Sequence, residues 1–204
     1  MFDSIENALE YGVPQYRDRL ILVGFRRDRF GRRLKFSFGN HKSFRIDEIM
    51  KINWPLQDPF EENGMLPQPD NIIRELSINY WFERNNVENH ANADDYFNTV
   101  SEEKYIMIPE GDTTGKSFKR LHRWRFSPTA AYGNNEVHLH PFHTRRISVA
   151  EAMAIQSLPE SFVVDPNMSL SAKFKMIGNG VPYLLALGIA RDVIEWIEEK
   201  ENRK

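Results

Sequence analysis

The sequence predicts an α/β chain: a strand suited to the inside of a sheet near the start, a mixed polar middle, and a long helix at the end. Three patterns predict it. Residues 20–25, Leu-Ile-Leu-Val-Gly-Phe, are an unbroken apolar run, as in a strand buried on both faces of a parallel sheet. Leu185, Ile189, Val193 and Trp196 recur at helical spacing over residues 182–200. No regular strand–helix alternation follows residue 25, so the chain is expected to begin inside a fold whose sheet it does not complete.

Along the chain, residues 4–9 read as a helical turn or two, broken by Tyr11-Gly12-Val13-Pro14. Residues 26–62 form a polar connection, with a short helix expected at 47–52. Residues 71–82 fit helix or strand, and 85–98 read as a mobile polar loop. Residues 105–108, 124–126 and 137–139 read as short strands, the last two around a turn at Gly133-Asn134-Asn135. Ser148 and Glu151 have the spacing of a capping box, starting a helix that ends near Ser157, before Pro159. Residues 171–176 give a further helical turn or two. Gly178-Asn179-Gly180 reads as a tight loop, and Pro182 suits the first position of the last helix.

The cysteine count is 0. Within these 204 residues that excludes disulfides, thiolate metal sites and a cysteine nucleophile, and it suggests a cytoplasmic protein. No apolar run approaches the roughly eighteen residues of a membrane span, and the first twelve residues lack the features of a signal peptide. The net charge of −2 conceals an asymmetry. Residues 17–35 hold eight bases against two acids, residues 47–110 fourteen acids against four bases, and residues 116–146 seven bases against one acid. In the last block Phe118, Trp124 and Phe126 interleave with Lys116, Lys119, Arg120, Arg123 and Arg125. That mixture predicts a nucleic-acid contact surface rather than a merely solvated face.

Other patterns carry less. The segment from Gly111 to Ser117 has three residues between its glycines where a phosphate loop needs four. His138, His140 and His143 lack cysteine or paired acids nearby, so they read as structural or surface groups and no metal is expected. Gly178-Asn179-Gly180 opens a dinucleotide fingerprint, but Tyr183 stands where the third glycine belongs.

Three segments, in order, resemble the DNA cytosine-C5 methyltransferases. NALEYGVPQYRDRLILVGFRRD is similar to the family's Q-x-R-x-R motif, on Gln15, Arg17 and Arg19. TRRISVAEAMAIQSLPESF is similar to its ninth conserved block, with Arg145, Glu151, Gln156 and Pro159 at the usual positions. IGNGVPYLLALGIA is similar to the tenth. The resemblance covers the chain end to end. It implies the C-terminal edge of a Rossmann-like methyltransferase sheet in residues 1–28, a small mixed target-recognition domain in 29–160, and a return to the catalytic domain in 161–204. The chain departs from the pattern at Ala150 and Ala154, where arginines are common, at Gly180, where Ser or Ala is usual, and at Thr129-Ala130, where the family has Thr-Leu. The family's Phe-x-Gly-x-Gly cofactor loop, Pro-Cys nucleophile and Glu-Asn-Val acid have no counterpart here.

In that family a cysteine thiolate adds to cytosine C6, a glutamate protonates N3, and C5 then takes a methyl group from S-adenosyl-L-methionine. Residues without cysteine cannot perform the first step. The resemblance therefore implies a DNA-recognition part or subunit, which holds double-stranded DNA and the flipped cytosine while a second polypeptide or region supplies the nucleophile. Arg19, with Arg17 beside it and Gln15 fixing the turn, would face the cleft and support the target base. Asn179, Gly180 and Val181 would flank the cofactor. Lys116, Lys119, Arg120, Arg123, Arg125, Thr129 and Arg145 would meet DNA. The apolar face of the last helix would need a partner. The alternative is a stand-alone DNA-binding or regulatory protein derived from such an enzyme, with the strand at 20–25 covered by the chain's own elements.

Overall fold

A computed structural model describes residues 1–115, 118–129, 132 and 137–202. Lys116 and the turn expected at Gly133-Asn134-Asn135 lie outside them. The chain opens on strand β1 (Phe2–Asn7), where a helical turn was expected. β1 pairs antiparallel with β2 (Asp18–Val23), Ser4 opposite Ile21 and Glu6 opposite Arg19. Only Ala8–Tyr11 is helical, a single 3-10 turn closed by Gly12 at φ 85°. Pairing with the strongly β-forming residues of β2 outweighs the weak local helix preference.

β2 is not covered on both faces. Ile21 and Val23 pack inward with Ala8, Tyr11, Val13, Leu185 and Ile189. Leu20 and Leu22, with Ile5 across the hairpin, point outward and are 63%, 56% and 70% exposed. The sheet has two strands, so the other edge of β2 has no strand partner among the described residues.

Helices follow: α1 (Arg27–Phe30), α2 (Ile46–Ile49), α3 (Ile78–Arg84), α4 (Glu102–Ile106), α5 (Val149–Ile155), α6 (Leu170–Asn179) and α7 (Tyr183–Glu201). α4 replaces the strand expected at 105–108. Glu102 and Glu103 in its first turn suit the positive end of the helix dipole, and Tyr105 is fully buried. A turn replaces the strand expected at 124–126, and of 137–139 only Leu139 forms isolated bridges, to Arg120 and Arg146; Ser127 bridges Gln15. The capping box of α5 is complete: Ser148 accepts from the Glu151 amide and Glu151 accepts from the Ser148 amide. α6 is longer than expected and absorbs the predicted loop at 178–179.

The main core joins α3, α5 and α6 through Ile78, Trp81, Val149, Met153, Phe174 and Ile177. Ala150 and Ala154 sit inside it. The segment 85–98 is pinned rather than loose. Asn85 donates to the Leu158 carbonyl (2.7 Å), Asn92 to that of Val164 (3.1 Å), and the buried Lys173 ammonium pairs with Asp95 (2.8 Å). The apolar face of α7 is covered by the chain itself, which corrects the expectation that it needs a partner. Leu185 and Ile189 pack on the hairpin, and Trp196 stacks on Phe25 at 3.8 Å between centroids. The close approach requires Gly188, where a Cβ would lie 2.5 Å from the Tyr11 ring. No helix of the described residues is long and apolar enough to cross a membrane.

Candidate functional site

Arg17 joins the three sequence segments at one point. Its Nη2 donates to the carbonyls of Gly178 (2.6 Å) and Gly180 (3.0 Å), and its Nη1 lies 3.5 Å from Gln15 Oε1. Gln156 Nε2 reaches the same Gln15 oxygen at 3.4 Å. The carbonyls at the end of α6 would otherwise be orphaned, and a cation there also opposes the negative end of the helix dipole. Arg17 is 1% exposed. Burial, followed by the neighbouring Arg19 charge, lowers its pKa to about 10, so it stays charged at neutral pH. The expectation that Arg17 faces an open cleft is therefore corrected: its head is turned inward to tie α6 to β2. Gln15 is fully buried at the same junction. Arg19 is half-exposed, and its side chain donates from Nη1 to the Asp18 carbonyl (2.7 Å).

The same segment is stitched to residues 127–129. The Tyr16 amide donates to Ser127 O and the Ser127 amide to Pro14 O, each at 2.8 Å. Thr129 Oγ1 donates to Tyr16 O at 2.7 Å. A hydroxyl has one proton, so Thr129 has none left for a phosphate oxygen. That corrects its assignment as a phosphate donor. The Gly180 amide is engaged as well, with the Met176 and Ile177 carbonyls at 3.2 Å each. Asn179 and Val181 are exposed at the surface of this turn.

Three of the arginines expected on DNA are held internally. Arg120 is fully buried, and its nitrogens donate to the carbonyls of Tyr105, Ile108, His140 and His143. Arg123 forks onto Glu110 through Nε (2.9 Å) and Nη2 (2.7 Å) and donates to Gly64 O through Nη1 (2.6 Å). Arg145 forks onto Glu151 at 2.9 and 2.7 Å, which orients the carboxylate that caps α5. All three are corrected from DNA contacts to internal ties, because every planar fork has found acceptors inside the fold. Sequence reasoning missed the carboxylates that hold Arg123 and the neighbouring His122. Glu110 is 2% exposed, and Asp58 accepts from His122 at 2.9 Å if Nε2 carries the proton. Both acids come from the acidic stretch 47–110, whose excess charge was the available signal. Lys119 and Arg125 remain half-exposed.

The histidines are interior groups. His140 stacks on Phe82 and on His143. Burial lowers the His138 pKa to about 4 and pushes His140 well below the ordinary imidazole value. Among the described residues no group of three side chains could hold a metal ion. Gly111 is a turn, with φ 87° and a Cβ position 2.1 Å from Leu56 O. Beside it lies a cavity of about 290 Å³ lined by Tyr16, Leu121, His122, Arg125, Phe126 and Thr129, among others.

The C-5 cytosine-specific DNA methylase family matches residues 2–195. The chain belongs to that family. It is 50% identical over 202 residues to the type II methyltransferase M.NmeDI of Neisseria meningitidis serogroup C, covering 98% of this chain and 47% of that protein. It is 27% identical to M.FnuDI of Fusobacterium nucleatum, covering 100% of this chain and 58% of the relative. The chain thus spans about half the length of the curated relatives it matches. A prophage-encoded DNA modification methyltransferase of E. coli superposes with a TM-score of 0.52 at 17% identity, over 97% of this chain and 60% of the other. At that identity the likeness speaks for the fold, which is α/β and methyltransferase-like.

Proposed function

We propose that these residues are the DNA-recognition part of a DNA (cytosine-5-)-methyltransferase. They correspond to its C-terminal portion and act with a second polypeptide or region that carries the cofactor loop, Pro-Cys and Glu-Asn-Val. The observation that carries the reading is the Arg17 junction, which draws the Q-x-R-x-R, ninth and tenth segments together in a chain with 0 cysteines. Arg19 beside it has donors to spare for the O2 edge of a flipped cytosine or an adjacent phosphate. When bound, S-adenosyl-L-methionine supplies the methyl group, and Asn179 and Val181 form one rim of its site. The outward Ile5, Leu20 and Leu22 and the free edge of β2 are the surface for the partner sheet. The setting is the cytoplasm, where duplex DNA is at hand.

A second reading, a non-catalytic DNA-binding or regulatory protein, draws on the self-covered face of α7. One experiment separates the two. The chain alone, given labelled S-adenosyl-L-methionine and mixed-sequence duplex, transfers no methyl group. Adding a polypeptide with the missing motifs restores C5 methylation. In the restored enzyme Arg19→Ala lowers turnover far more than duplex affinity; turnover within about twofold of the parent overturns the role of Arg19. Failure of every such partner to restore activity favours the second reading.

A further inference from the structure

We propose that Arg125 is the residue through which this chain reads a guanine of its recognition sequence, an inference that rests on the DNA-recognition reading above. It follows from the fate of the other described bases in its block, Lys116 lying outside the described residues. An arginine reads guanine through two parallel N–H groups on one edge of its guanidinium, aimed at O6 and N7. Arg120 has no such edge, since its nitrogens face four main-chain carbonyls in the interior. Arg123 has none, since Glu110 holds its fork and Gly64 O takes the remaining nitrogen. Lys119 offers a point charge without a fork.

Arg125 differs in each respect. Its side chain makes one long hydrogen bond, from Nη1 to Pro55 O at 3.4 Å, and rests over the Phe126 ring at 5.4 Å from the centroid. Nε and Nη2 are left without an internal acceptor among the described residues. The backbone beneath is fixed: the Arg125 amide donates to His122 O (3.2 Å), and its carbonyl accepts from Ile78 N (3.1 Å). An open fork on a pinned backbone is the arrangement that fixed readout needs. Arg125 lines the 290 Å³ cavity together with Tyr16 and Thr129. It also lies two residues before Ser127, the residue bridged to Gln15. The reader is thereby tied to the Q-x-R-x-R segment, so the base it reads belongs to the same recognition sequence as the target cytosine.

The test uses the methylating protein, restored by its partner, on a duplex library randomised around the methylated site. Arg125→Ala and Arg125→Lys are compared with Lys119→Ala. Arg125→Ala is expected to lose preference for guanine at one position, by roughly 5- to 150-fold, and Arg125→Lys to lose part of it at the same position. Arg125→Lys keeps the charge and so keeps the salt dependence of binding. Lys119→Ala is expected to leave the preference and to lower the slope of log affinity against log salt by about 0.9. Unaltered preference at every position in both Arg125 variants, with an unaltered unfolding midpoint, overturns the assignment of Arg125 alone. Absence of sequence-dependent duplex binding by the unsubstituted protein overturns the DNA-recognition reading and this inference with it.

Discussion

The two basic segments carry the same excess of bases and fold in opposite ways. In residues 17–35, Arg26, Arg27, Arg32 and Arg33 are exposed, and Arg17 alone is deeply buried. In residues 116–146, Arg120, Arg123 and Arg146 are buried, and Arg145 is locked to Glu151. The interleaved aromatic residues of the second block suggested a nucleic-acid face. In the fold rings lie against bases inside the protein: Arg120 stands 3.7 Å from the Phe60 ring centroid and Arg123 4.4 Å from that of Phe142. An acidic stretch elsewhere in the chain makes the difference. Glu110 takes Arg123 inward as a buried ion pair and main-chain carbonyls take Arg120, whereas the pairs of the first block, Arg26 with Asp28 and Arg29 with Glu201, lie at the surface. A local charge run therefore predicts a binding surface only where the rest of the chain lacks its complement.

The sharpest way to break this contrast is to remove a buried partner. Arg123→Ala leaves the Glu110 carboxylate buried and unpaired, a change expected to cost about 3–5 kcal/mol. In urea denaturation the midpoint should fall with the slope unchanged. The double variant Arg123→Met with Glu110→Gln should recover part of the loss, because it removes the stranded charge as well. A loss under about 1 kcal/mol in the single variant would show that the second block is surface after all.

A somewhat smaller effect is expected from pH. The folded-state pKa of His138 is depressed to about 4 by burial, from an ordinary 6.5, and His140 is depressed for the same cause. Between those values the unfolded chain binds protons that the folded chain does not, so stability rises with pH there. The contribution is fully present above about pH 6.5 and is lost as the pH falls toward 4, by roughly 3 kcal/mol for His138. Urea midpoints measured from pH 7.5 to 5 should drop, before most carboxylates titrate. A flat profile over that range would mean that the histidines can reach water.

Next comes the staple. Arg17→Lys keeps the charge and loses the planar fork that spans Gly178 O and Gly180 O. We expect a loss of about 2 kcal/mol, in the range of hydrogen bonds to charged groups, together with faster amide exchange at residues 176–180. Exchange that speeds up throughout the chain, rather than at the end of α6, would assign Arg17 a general role in stability.

What the sequence made legible was local. The capping box at Ser148 and Glu151 and the periodicity of α7 are signals contained within a few turns, and both elements form as read. The Q-x-R-x-R, ninth and tenth segments were legible as family marks, but not as one junction, because Arg17 and Gly178 are 161 positions apart. β1 was hidden for the same reason: its strand character comes from pairing with β2 and not from its own residues. The inward turn of Arg120 and Arg123 depended on carbonyls and a carboxylate brought together by the fold. Arg125 differs from Arg120 and Arg123 in having, among the described residues, only one long bond to a carbonyl, Pro55 O, a property with no local sequence signature.

The smallest expected effect tests the exposed side of the contrast. Arg32 and Arg33 are exposed and lie beyond the short helix α1. Changing both to Ala should move the unfolding free energy by no more than about 0.5 kcal/mol each, as for surface positions without special contacts. Their charge still acts at a distance, because like-signed charges on one surface raise the local concentration of a polyanion. In the partner-restored protein the double variant should therefore associate with duplex DNA more slowly at low salt, and equally so for every sequence. The slope of log affinity against log salt should decrease by up to about 0.9 per charge that meets a phosphate. Site preference should stay as it was, in contrast with the Arg125 variants. A destabilisation above about 1 kcal/mol would place this block inside the fold too, and the opposition between the two basic segments would be gone.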